Sequence, residues 1–331
     1  GGRPRAGGGG GGAPRPGGAG AAGGAVLVGG VDSGTTLESG AFMLVSGGMV
    51  SDDVVESGAL LVLYDGATAS GTVSAGGQVV STGVVTISGT TGTYDGNVYS
   101  GASIRGADIL VIEGGLFESD TLTDGDLDIH SGGTATGDEI YYGTVVTVMS
   151  GALASGLDLY ASETVQSGGV DSGTLIHGYQ TVGVGGSAVG DEVFAQQTLD
   201  GGVGIDTYVN SGAQYVLDGG VASGSIVSAG AKQLIGTAET VGTQLEGGAE
   251  YVYSAGIASG TEVDQGGELV VYVSGVAKGA ELNSGGIAFA FSGAVISGAT
   301  VNSGGFVLEV GGGEAVDTVS SGGQVVSTGV I

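Results

Sequence analysis

The chain has 331 residues, 77 of them glycine, with three prolines, no cysteine, no tryptophan and a formal charge of −28. Glycine off a three-residue period excludes collagen, a hydrophobic fraction of 41% excludes a disordered low-complexity chain, and the acidity excludes nucleic acid as a partner, because phosphate binding needs lysine and arginine to displace counterions. No run approaches the roughly 20 apolar residues of a membrane-spanning helix.

Residues 1–25 hold Arg3, Arg5 and Arg15 and no acid. They contain nothing that packs a core and are expected to be a flexible linker. The remainder carries 34 acids against Arg105, Lys232 and Lys278, a net of −31. From Gly30 a glycine series runs through Gly48 and Gly66, slips across 67–114, and resumes at Gly115, Gly133, Gly151, Gly169, Gly186, Gly202 and Gly220. An offset series follows at Gly212, Gly230, Gly248, Gly267, Gly286, Gly305 and Gly323, in steps of 18 or 19. Self-similarity at this period marks a solenoid, whose units bury their apolar faces only against the next copy.

Between the glycines, β-branched residues alternate with period two and nothing apolar repeats at 3.6 residues, so the elements are strands. The expected fold over 26–331 is all-β, a parallel β-helix with coils of about 18–19 residues. It is right-handed by the bias of parallel crossover connections. About 16 coils at about 4.8 Å each give a rod on the order of 75 Å long with open ladder edges at both ends. The longer steps from Gly66 to Gly89 to Gly115 predict loops bulging from the rod over 67–114. Three residues after the motif glycines stand Tyr251, Val270, Phe289, Leu308 and Val326, and five after stand Tyr253, Tyr272, Phe291 and Val310. Four before stand Val263, Leu282, Val301 and Val319. These columns are expected to fill the inside of the tube.

Few residues suggest chemistry. Gly201–Val209 fits the calcium-binding nonapeptide pattern G-G-x-G-x-D-x-U-x, which makes Asp206 a candidate calcium ligand, although the next copy, starting at Asn210, lacks the aspartate. The acid pairs Asp52/Asp53, Asp138/Glu139 and Asp191/Glu192 point to opposite faces of a strand, form no clamp, and are expected to be solvated. His130 and His177 fall in different coils, Arg105, Lys232 and Lys278 are dispersed, and no nucleophile elbow or P-loop is present, so no catalytic constellation is expected. The turn hydroxyls Ser223, Ser259 and Thr261 either bond turn backbone or accept sugars.

Units such as YVLDGGVASGSIVSAGA (215–231), YVYSAGIASGTEVDQGGELVV (251–271) and VNSGGFVLEVGGGEAVDTVSSGGQVV (301–326) resemble the passenger repeats of AIDA-type self-associating autotransporter adhesins. The resemblance covers nearly everything after residue 25. It implies a right-handed parallel β-helix on the outer surface of a Gram-negative cell, acting in autoaggregation, biofilm formation or adherence and often O-glycosylated with heptose on serine or threonine. The expected partners are identical rods, along the rod faces, and a host or abiotic surface. Contact with the outer membrane is expected only through a translocator region that this sequence does not include. Two other readings remain: a polysaccharide-active β-helix enzyme with its site near 67–114, and a calcium-dependent surface-layer component.

Overall fold

The computed structural model describes residues 24–328, which form strands, turns and bends without helix. The expected linker lies outside the described residues except for Gly24 and Ala25, which open the strand Gly24–Val28.

A coil consists of three short strands. In one coil these are Ala213–Leu217, Val221–Ser223 and Ile226–Ser228. Each pairs in parallel with its counterpart one coil before and after. The stack therefore has three sides: a fifteen-stranded sheet, here called the long face, and two thirteen-stranded sheets, the second and third faces, in the order the chain visits them. Three corners explain two glycine series out of phase. Gly267 stands before a long-face strand and Gly186 before a second-face strand. A Cβ on either would lie 2.7 Å from a carbonyl oxygen of the neighbouring coil, Leu245 or Val165, which no side chain tolerates. The third corner needs positive φ, taken by Gly190, Gly224 and Gly260 and, between them, by Asp206 at φ 52°.

Val263, Leu282 and Val301 point inward and are fully buried, as expected. Val319 does not, because the last coil pairs it with Thr300 rather than Val301. A continuous aliphatic core fills the stack from Val84 to Val307.

The coils do not form one rod. Residues up to Val80 build a short first stack, with sheets of four, three and three strands, and the rest builds the second. The segment 67–114 is not a set of bulging loops. It contains the last strands of the first stack (Thr68–Ser70, Val73–Ala75, Gln78–Val80), a hairpin (Gly83–Ser88, Thr91–Gly96) and the first strands of the second stack (Val98–Ser100, Ser103–Arg105, Asp108–Ile112). The hairpin accounts for the longer glycine steps. Its strand Gly83–Ser88 pairs antiparallel with Asp108–Ile112, reversing the chain and covering the long face's leading edge, where an open edge was expected. The second stack, at thirteen coils of about 4.8 Å, is roughly 60 Å long.

The two stacks lie sheet against sheet. Phe42, Leu44, Leu60 and Val62 on the outside of the first meet Val85, Leu110 and Ile112 on the outside of the second. His130 joins them, its Nδ1 2.9 Å from Asp65 Oδ2 and its ring edge-on to Tyr64. Leu60→Ala opens a cavity in this joint and is expected to cost about 2–5 kcal/mol. Limited proteolysis should then cut near 81–82, between the stacks, and leave the second stack resistant; equal resistance of variant and parent would contradict this account of the joint.

Candidate functional site

The functional surface of a solenoid is its set of outward columns, and the long face carries the most distinctive ones. Most of its strands alternate, so the third- and fifth-position columns do share one side, but it is the outer one. Tyr251, Phe289 and Leu308 are half-buried and outward, while their neighbours Val252, Ala288, Ala290 and Val307 fill the core. The rings face water and still lose much of their surface, because each covers the next. Tyr253, Tyr272 and Phe291 stack with centroids 5.0 and 5.4 Å apart and planes within 8°. One outward column reads Thr147, Thr164, Thr181 and Thr198, then Tyr215, Leu234, Tyr251, Val270, Phe289 and Leu308. The long face is thus polar in its middle and apolar over its later coils.

Asp206 occupies the exposed αL corner between Val203–Ile205 and Tyr208–Val209, and no group of three or more acidic, histidine or cysteine side chains is arranged to hold a metal ion there or elsewhere among the described residues. Ser223 and Ser259 sit half-exposed at one register position of the second face, which Ser155, Ser172 and Ser297 share in other coils. Thr261 drops out as a sugar acceptor: its side chain is buried and its Oγ1 donates to Glu250 Oε2 at 2.7 Å. Arg105 pairs with Asp124 at 3.2 Å, in a different coil from Lys232 and Lys278. His177 lies between the rings of Tyr160 and Phe194, far along the stack from His130.

The acid pairs are corrected by half. One member of each, Asp52, Glu139 or Glu192, is outward, but Asp53, Asp138 and Asp191 are buried just after the αL corner. Each accepts a backbone N–H of the preceding coil: Asp53 from Thr35 at 2.8 Å, Asp138 from Asp120 at 2.9 Å and Asp191 from Thr174 at 3.1 Å. The corner strands that donor, and the aspartate satisfies it. Burial, the largest cause, pushes Asp138 up to about 8 despite this bond.

A second polar column runs inside the tube, one residue per coil: Glu163, Gln180, Gln197, Gln214, Gln233 and Glu250. Each glutamine Nε2 donates toward the amino-terminal coil: Gln233 to Gln214 Oε1 at 2.6 Å, Gln214 to Gln197 Oε1 at 2.7 Å, Gln197 to Gln180 Oε1 at 2.7 Å and Gln180 to Glu163 Oε2 at 2.8 Å. Thr243, Thr207 and Ser225 donate sideways to the amide oxygens, and Thr240 and Thr261 satisfy Glu250. At the other end Gln180 Nε2 also reaches Asp171 Oδ2 at 2.6 Å, and Gln197 Nε2 reaches Asp191 Oδ2 at 3.2 Å. Burial holds Glu163 up to about 8 and keeps Asp171 and Asp191 raised, with the charge of Glu163 adding to Asp171. These carboxyls hold protons that exposed ones release.

A carboxyl with a raised folded-state pKa costs nothing in acid, where folded and unfolded chains both hold the proton. The cost grows as pH rises from about 4.5, where unfolded Glu163 ionises, to about 8 and then levels off. The thermal midpoint is therefore expected to fall between pH 5 and 8, and Glu163→Gln, which keeps an acceptor for Gln180, should flatten part of that fall. A midpoint rising with pH, or an identical slope in the variant, would count against the buried acids.

No protein-family model matches the sequence, and no curated protein matches it. Among solved structures, the chain is similar to a TibC-catalyzed hyper-glycosylated TibA55-350 fragment, with 25% identity over 92% of both chains and a TM-score of 0.49. It also overlaps trypsin-treated QnrB1, a plasmid-mediated fluoroquinolone resistance protein, at 12% identity over 67% of this chain and 90% of that one, with a TM-score of 0.15.

Proposed function

We propose that the chain is an adhesive β-solenoid repeat region of an extracellular bacterial surface protein, and that it associates with a second copy of itself through the long face. The observation that carries this reading is how the chain treats the two apolar parts of that face. The leading part, at Leu110 and Ile112, is covered by the outside of another stack of coils from the same chain. The trailing part, with Ile287, Phe289, Phe291, Phe306 and Leu308, is left half-exposed. A contiguous apolar sheet face of this kind marks an association surface, and a coil stack like its own is the occupant the fold already accepts. The resemblance of the repeats to autotransporter adhesin passengers supports the same reading, that of a solenoid at the cell surface acting in autoaggregation, biofilm formation or adherence. Ser223 and Ser259, half-exposed on the second face, are the hydroxyls such a solenoid offers for glycosylation without blocking the long face.

Two copies at −28 each repel at long range, so association through an apolar face should strengthen as salt screens them. In sedimentation velocity the chain is expected to shift from monomer toward dimer between about 0.01 M and 0.5 M salt, where the Debye length falls from about 30 Å to under 8 Å. Phe289→Ser with Phe291→Ser should keep it monomeric throughout. Association that weakens with salt, or that survives the double substitution, would exclude this face as the interface.

A further inference from the structure

Where the third face turns into the long face, a ladder of rings runs along the surface. Tyr141, Tyr160, His177 and Phe194 stack with centroids 5.3, 4.6 and 4.5 Å apart and planes within 15°. Their faces are occupied by one another, so the edges of Tyr160 and His177 line one wall of a cleft of about 260 Å³. Tyr142 and Tyr179 also line it, 70% and 60% exposed, and neither stacks on another ring among the described residues. The floor is made of small residues, Ala161, Gly178 and Ala195, at the position that leads into successive long-face strands. In the first coil of this floor the same position is Thr144. The residue is 3% exposed, and its Oγ1 has no hydrogen-bond partner among the described residues. A hydroxyl left unpaired in a floor otherwise of alanine and glycine is a group that a ligand or a water can complete.

We propose that this cleft binds a neutral sugar ring of a surface glycan. A pyranose has an apolar C–H face, which fits the open rings of Tyr142 and Tyr179, and a rim of hydroxyls, which Thr144 and Ser162 can meet. His177 stands beside them with its Nε2 3.4 Å from Asp158 Oδ1. An acidic sugar is disfavoured by the charge of −28. A cation prefers converging ring faces, and the ladder offers edges. The inference rests on the surface location proposed above and adds a ligand class to it, in coils other than the trailing apolar ones proposed for self-association.

The test is saturation-transfer NMR on the full chain with the methyl glycosides of galactose, glucose, mannose and N-acetylglucosamine, and with choline as the cationic comparison. Transfer is expected to at least one glycoside, with a dissociation constant on the order of 1 mM. Tyr142→Ala and Tyr179→Ala should each weaken it by about tenfold, and Thr144→Val should weaken it where Thr144→Ser does not. Circular dichroism of the same variants confirms the fold. Transfer to none of the four glycosides, transfer to choline alone, or transfer indifferent to the tyrosine substitutions would each overturn the proposal. Salt-dependent sedimentation of the tyrosine variants, expected to match the parent, separates failure of the sugar site from failure of the self-association reading.

Discussion

Parallel, in-register stacking governs everything else in this molecule. Once a strand must lie about 4.8 Å from its copy in the next coil, every side chain has its successor as its nearest neighbour, and a column can contain only residues that tolerate one another at that distance. Aliphatic side chains do, and fill the core. Flat rings do when tilted into parallel stacks. Glutamine does, because its amide donates on one side and accepts on the other. Bare carboxylates do not, and the acids that enter the tube either take a backbone N–H, as Asp53, Asp138 and Asp191 do, or retain their protons.

The same constraint sets the corners. A coil this short must turn three times, and two of its turns leave no room for a Cβ while the third needs positive φ. The recurring glycines of the coils follow from that geometry. Polar donors stranded at the turns are met from the adjacent coil, so the hydrogen-bond network, like the core, is built between repeats and not within them.

Most of this was legible in the sequence. The glycine period gave the solenoid, the coil length and the strand alternation. It does not say which parity faces inward, and the aromatic columns read as core because large apolar rings usually are core. Stacking resolves the point, since a ladder of rings shields itself while still facing water. The break into two stacks was also written in the chain, in runs that do not alternate: Phe42-Met43-Leu44-Val45, Leu60-Leu61-Val62-Leu63 and Ile109-Leu110-Val111-Ile112. Strands buried on both faces read this way, and these are the strands that line the joint. The glutamine column was visible as well, at spacings of 17 or 19 residues from Glu163 to Glu250, but a polar residue in a strand reads as outward until its register is known. The cleft at Thr144 was not visible, because its residues come from separate coils and only the turn geometry brings them together.

The direction of the glutamine chain bears on how such a protein can evolve. Repeats in the aliphatic part of the stack are nearly equivalent, so gaining or losing a coil by recombination changes length and little else. Between Glu163 and Glu250 every amide hands its hydrogen bond toward the same end, and the run is closed by a protonated acid cluster on one side and by threonine donors on the other. A coil inserted there with valine at that position would split the run and take from the glutamine on the carboxyl-terminal side of the break the amide oxygen to which its Nε2 donates. An added coil keeps the chain of bonds there only where it brings a glutamine at that position, a demand the aliphatic coils do not make.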